Sequence, residues 1–239
     1  MTDEPYRWLE AVANRREYIR DQLRGAKPVF AFSRPEGILL VGVGTGQSKI
    51  FEVYDRQALA ALGHPVDIEK VRQAVIEAAH MEGFTRAPED VTLRRLLNFS
   101  LGPLLKSNFE QIFSAPVLVE LILAELGLTP AQDILVRMSY DGTHRLLTKG
   151  GVAVAHVSAA DETAATEWLI SQVKPETTPD EIVTLALLAW RELSGGKPFT
   201  APSSRERPAL DGHVLEVALL DRRSAGRVRY RALDYSNVS

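Results

Sequence analysis

Leu9, Val12, Ile19 and Leu23 recur at helical spacing, with Arg16 in the same register among Arg, Glu and Gln. This pattern predicts an amphipathic helix over 7–24 that stops at Gly25. Apolar runs from Val29 to Ser33 and from Gly37 to Val43 flank Arg34-Pro35-Glu36-Gly37 and predict a hairpin. Lys49 to Val53 and Gln57 to Leu62 predict two more strands around Tyr54-Asp55-Arg56. Ile68, Val71, Val75, Ala78 and Ala79 place a helix over Val66 to Gly83. A second helix should start near Pro88, with Glu89 and Asp90 at its positive end, and run toward Phe113. Gly102-Pro103 interrupts it, because proline removes a hydrogen bond and crowds the preceding turn, so a kink or break is expected near Leu101.

Val117 to Glu125 is apolar on both faces, as a central strand covered on both sides requires. Ile134 to Tyr140 alternates and turns at Asp141-Gly142, and Arg145 to Leu147 and Val152 to Val157 are short strand candidates. Helices follow at Ala160 to Val173 and Pro179 to Leu193. The second is announced by Thr178-Pro179-Asp180-Glu181, a capping box with proline at the first helical position. The Gly195 to Gly212 segment, rich in Gly, Pro and Ser, exceeds the usual loop length and predicts an exposed or contact segment. His213 to Leu220 and Arg227 to Leu233 close the chain as strands. The order is one helix, four strands, two helices, four strands, two helices and two strands, which two stacked sheets between helical layers satisfy.

Composition narrows the function classes. The 239 residues are 45% apolar and 25% charged, with 28 Lys+Arg against 31 Asp+Glu, an ordinary globular balance of net charge −3. The absence of cysteine removes disulfides, thiolate catalysis and cysteine-held metals, and leads to the expectation of a cytoplasmic protein. The longest apolar stretch, about Gly37 to Gly44, is far below the roughly 20 residues of a membrane span. The opening MTDEPYRWLE is acidic and polar, unlike a signal peptide. No dense basic cluster points to nucleic acid.

Candidate chemistry is sparse. Gly42-Val43-Gly44-Thr45-Gly46-Gln47-Ser48-Lys49 follows a strand, but its glycine spacing fits neither a Walker loop nor a dinucleotide fingerprint, and a strand follows it. It reads as an inter-strand turn. His64, His80, His144, His156 and His213 are scattered without metal-ligand spacing, so no metal and no cofactor is expected. No Gly-x-Ser-x-Gly elbow is present.

Several ordered runs resemble α-type subunits of the proteasome core particle, bacterial ones above all. They are Arg24-Gly25-Ala26-Lys27, Pro35 to Val41, Ser48-Lys49-Ile50-Phe51-Glu52-Val53-Tyr54-Asp55-Arg56, Val119 to Leu126, Arg137-Met138-Ser139-Tyr140-Asp141-Gly142-Thr143 and Leu215 to Asp221. The resemblance spans essentially the whole chain as a single domain over 1–239. It implies an α+β fold, the four-layer αββα sandwich of the N-terminal-nucleophile hydrolases, with an extra N-terminal helix.

In active β subunits of that family an amino-terminal threonine, freed by self-cleavage after glycine, attacks the peptide carbonyl with its own amine as base. By the resemblance the nucleophile position falls on Lys27, after Ala26, and the paired aspartate on Val43, while Lys49 keeps the lysine position. The chain is therefore expected to be non-catalytic, within a threonine-type endopeptidase complex. The resemblance further implies a homo-heptameric α ring capping proteolytic β subunits. A gate in residues 1–10 (Thr2, Asp3, Glu4, Pro5, Tyr6, Arg7 and Trp8) would narrow the path of unfolded protein substrates. A ring-shaped AAA ATPase activator would insert its C-terminal tails beside Lys49, Ala26, Gly63 and His64, the Lys49 ammonium taking the terminal carboxylate. His64 stands where an aliphatic residue is expected. Val154-Ala155-His156-Val157-Ser158 lacks the glycine-containing turn usual before the next helix. The alternative is a divergent N-terminal-nucleophile hydrolase, or another bacterial proteasome homologue, with its own peptidase activity.

Overall fold

The computed structural model describes residues 4–147 and 151–235. Helix α1 (Glu4–Leu23) begins at Glu4 rather than Arg7. Its apolar stripe is buried only toward the C-terminal end, where Ile19 and Leu23 enter the core, while Leu9 is 64% exposed. The chain then turns at Gly25, with the Ala26 N–H returning to the Leu23 carbonyl at 2.9 Å.

Two five-stranded antiparallel sheets follow. One has the order β10-β9-β2-β1-β8, built from β1 (Val29–Arg34), β2 (Gly37–Gly44), β8 (Val152–Ala155), β9 (Val214–Asp221) and β10 (Tyr230–Leu233). The other has the order β3-β4-β5-β6-β7, from β3 (Ile50–Tyr54), β4 (Gln57–Gly63), β5 (Val119–Glu125), β6 (Ile134–Ser139) and β7 (His144–Leu147). β5 lies at the centre of its sheet and all seven of its residues are buried, as its two apolar faces predict. The Gly-rich run after β2 is a crossover from one sheet to the other, not a phosphate loop leading into a helix.

The period of two sorts each strand between layers. Val29 and Ala31 of β1 face Ala58, Ala60 and Leu62 of β4 and Ile122 and Ala124 of β5 in the middle of the sandwich, where Ile19 and Leu23 of α1 also pack. Phe30 and Phe32 point the other way, onto helices α5 (Ala159–Gln172) and α6 (Pro179–Leu193). Leu59, Ala61, Leu121 and Leu123 pack under helix α2 (Pro65–Thr85) and the helical segment after it. The layers are thus helices, sheet, sheet, helices, the αββα arrangement expected.

The helix expected from Pro88 to Phe113 with a kink or break near Leu101 is interrupted there, and also at 91–92, where no break was expected. A single 3-10 turn (Pro88–Asp90), α3 (Leu93–Leu96), a widened turn (Leu97–Leu101) and α4 (Gly102–Glu110) replace it. Pro103 is the physical reason for the widened turn, since it cannot donate to the turn before it. The Gly102 N–H bonds instead to the Leu97 carbonyl, five residues back. A Cβ on Gly102 would stand 2.6 Å from that oxygen, so only glycine fits. The α6 boundaries match expectation, and Thr178 and Glu181 complete the capping box. The 195–212 loop is tied down at Phe199, whose N–H meets Asp161 at 2.8 Å and whose ring leans on Trp168.

Candidate functional site

Lys49 emerges from the crossover at the threshold of β3. Its main-chain N–H donates to Glu216 Oε2 at 2.6 Å, and the Ile50 N–H reaches Oε1 at 3.3 Å, so a carboxylate on β9 fixes where β3 begins. The Lys49 stem passes Gly42 and Gly44, where an added Cβ would lie within 3.6 and 3.2 Å of it. Its Nζ then donates to the Lys27 carbonyl at 2.6 Å and the Val43 carbonyl at 3.1 Å. The three positions that the resemblance equates with nucleophile, aspartate and lysine therefore meet, but 27 and 43 carry a lysine and a valine. Neither side chain supplies a hydroxyl or a carboxylate.

Burial pushes the Lys49 ammonium down to about 8; Glu216 pulls it back up and Lys27 pushes it further down. Burial raises the Glu216 carboxyl, opposed by the two N–H groups it accepts and by Lys49. A desolvated amine between main-chain oxygens, a carboxylate and a second cation can hold one further anion with its third donor.

Gly63 and His64 lie at the same end of the second sheet, because the Lys49 carbonyl accepts from Ala61 two residues before Gly63. Gly63 has φ +136, and a Cβ there would meet the Leu118 carbonyl oxygen at 2.0 Å. His64 is exposed and its N–H bonds to Leu118 O at 2.9 Å, which seats the start of α2. Ala26 adjoins the Lys27 carbonyl that Lys49 holds. The four residues share one end of the sandwich; only the 26–27 segment is in hydrogen-bond contact with Lys49. Of the gate residues, Thr2 and Asp3 lie outside the described residues, and Glu4, Pro5, Tyr6, Arg7 and Trp8 form the start of α1. Trp8 is 47% exposed.

Sequence reasoning missed a buried ionic group beneath this end. Arg137 on β6 joins Glu120 at 2.7 Å and Glu162 at 2.8 Å, Arg145 reaches Glu162 at 2.6 Å, and Ser139 donates to Glu120 at 2.7 Å. Burial pushes the Glu120 carboxyl up, against the pull of Arg137. Glu162 also accepts from the His156 N–H at 3.1 Å, while His156 Nδ1 accepts from the Ser158 N–H. The turn lacking its glycine is thus held by a histidine and a carboxylate. The one available signal was Arg137, a lone charge in the otherwise largely apolar β6; nothing in the sequence paired it with Glu120 or Glu162. Among the described residues no cluster suits a metal ion, and no helix is long and apolar enough to cross a membrane.

No family model matches the chain. It is similar to curated proteins named proteasome subunit alpha. That of Pseudarthrobacter chlorophenolicus is 31% identical over 243 residues, covering 96% of this chain and 94% of that protein. That of Actinosynnema mirum is 32% identical, covering 89% and 77%, and that of Acidothermus cellulolyticus is 31% identical, covering 93% and 89%.

Proposed function

Given that the chain belongs to the family of proteasome α subunits, we propose that it is a non-catalytic, gating and docking member of a bacterial proteasome core, part of a threonine protease complex that it helps to assemble but in which it cleaves nothing. The observation that carries this reading is residue 27. Lys27 occupies the nucleophile position, its carbonyl is taken by Lys49, and the segment before it is an integral helix. Arg15 of α1 donates to the carbonyls of Asn108, Ile112 and Ser114, and Ile19 and Leu23 complete the central core. Cleavage ahead of residue 27 would cut α1, with its share of the core, away from the rest of the chain, which supports the reading of an unprocessed chain.

A single domain of this kind assembles into a homo-heptameric outer ring in the cytoplasm. Large apolar side chains exposed on the layer of α2 to α4, namely Met81, Phe84, Phe99 and Leu104, and on the following Phe113, support a broad protein contact such as β subunits would make. Exposed Trp8 and Leu9 at the start of α1 support contacts between neighbouring α subunits. Residues Thr2 to Trp8 gate the passage of unfolded substrates. Lys49, with Ala26, Gly63 and His64, receives the C-terminal tail of an AAA ATPase, using the one ammonium donor not spent on main-chain carbonyls.

The test is reconstitution with a bacterial β subunit. Peptide hydrolysis that disappears when the β subunit's amino-terminal threonine is replaced supports the reading; hydrolysis by this chain alone would favour the hydrolase alternative.

A further inference from the structure

At the opposite end of the β1–β2 hairpin from Lys49, a cavity of about 230 Å³ opens between the first turn of α6 and the outer strands of the sheet that α6 covers. Its walls are largely aliphatic: Leu39 on β2, Leu219 on β9, Leu233 on β10, and Pro179 and Ile182 on α6. Leu39 and Ile182 are buried, while Leu219 and Leu233 are only half-buried. The layer between sheet and helices is therefore left unfilled at this edge, by the space of one large apolar side chain.

The rim is charged and unevenly balanced. Arg34, Arg223 and Arg231 line the cavity with Glu36 and Asp221. Arg34 is 8% exposed; its guanidinium donates to the carbonyls of Lys174, Pro175 and Thr177 at 2.8, 2.8 and 2.7 Å, and its Nε has no partner among the described residues. No carboxylate pairs with it among those residues, so a desolvated positive charge borders an apolar cavity. Asp221 is taken by Arg231 at 3.3 Å and by the Arg223 main-chain N–H at 2.9 Å. The Arg223 side chain is exposed and forms no ion pair among the described residues. Glu36 alone is left to oppose an incoming anion, against Arg34 and Arg223. The surrounding field has the same sign as these cations, because residues 221–231 carry five arginines and one acid.

β10 is the last strand of its sheet, with no strand on its outer side among the described residues. Such an edge offers main-chain donors and acceptors to an extended chain, which favours a peptide over a compact small molecule. We propose that this edge is a docking surface for an acidic, extended segment of a partner protein, which seats one leucine-sized side chain in the cavity and sets carboxylates against Arg223 and Arg34. The surface lies at the other end of the hairpin from Lys49 and does not rest on the role given to that lysine.

The experiment is an NMR titration of the protein, labelled at its Ile and Leu methyl groups, with acetyl-Asp-Glu-Leu-Asp-Glu-amide, whose blocked ends exclude recognition of a terminal carboxylate. Saturable shifts are expected at the methyls of Leu39, Ile182, Leu219 and Leu233. Affinity should be at least about fivefold weaker for the analogue with alanine in place of leucine, and for the analogue with Asn and Gln in place of the acids. Arg223→Glu should weaken binding by about fivefold or more, and Glu36→Gln should tighten it about twofold, a gain that impaired folding does not produce. Arg94→Glu, at an exposed arginine of α3 in the other helical layer, should leave binding unchanged. Shifts centred elsewhere, no saturable shift, equal binding of either analogue, weaker binding in Glu36→Gln, or an equal loss in Arg94→Glu overturns the proposal.

Discussion

Glu216 and Lys49, 167 residues apart, meet where β3 begins: the carboxylate takes the Lys49 main-chain N–H at 2.6 Å while the Lys49 ammonium turns away to the Lys27 and Val43 carbonyls. The arrangement ties both sheets to the segment that follows α1. It also places a desolvated cation under a pH-dependent constraint.

Lys49 titrates at about 8 in the folded protein against an ordinary 10.5. Between those values the unfolded chain binds more protons than the folded one, so stability rises as pH climbs from about 8 to about 10.5. Urea unfolding across that range should show the rise in the wild type and a flatter profile in Lys49→Met, other titrating groups being common to both. Identical slopes would contradict the buried ammonium.

At neutral pH, Lys49→Ala should abolish activator stimulation of peptide hydrolysis in the reconstituted particle while leaving unstimulated hydrolysis in place. Because the variant also frees two main-chain carbonyls, it should cost about 1–2 kcal/mol of stability. Comparing stimulated with basal rates at matched folded concentration separates docking from folding, and stimulation that survives removes Lys49 from the tail site.

Arg137→Met strands Glu120 and Glu162 without their shared partner inside the protein. Removing one member of a buried ionic group costs about 3–5 kcal/mol. Chemical denaturation should register that loss, whereas Arg24→Met, at an exposed pair with Asp21, should change stability by no more than about 1 kcal/mol. Similar small losses in both variants would mean that the Arg137 group is hydrated.

Gly63→Ala should destabilise by about 2 kcal/mol or more, since the new Cβ would meet the Leu118 oxygen at 2.0 Å on a backbone held at φ +136. Gly25→Ala, with no atom within 4 Å and no left-handed φ, should be neutral or stabilising by about 0.4–1 kcal/mol. Thermal unfolding of the two variants side by side reads the contrast directly.

What was legible in the sequence follows the range of the interactions. The α6 limits were readable because their determinants, Thr178, Pro179 and Glu181, lie within four residues of one another. The layer order followed from periodicity. The break near Leu101 was readable from Gly102 and Pro103, which act on the turn just before them, whereas the interruption at 91–92 has no such local mark. At the site, Lys49 and Ala26 were named from resemblance, but Glu216 looked like any acid in a strand. Arg137, Glu120 and Glu162 gave no local sign of converging.

The central claim, a proteasome α subunit that assembles and does not cleave, is tested most directly by native mass spectrometry with subunit ejection after co-expression with a β subunit. The account predicts a seven-membered ring or larger α–β particle releasing this chain at 26.4 kDa, apart from loss of Met1. Release of a shortened chain that begins at a threonine or serine would contradict it.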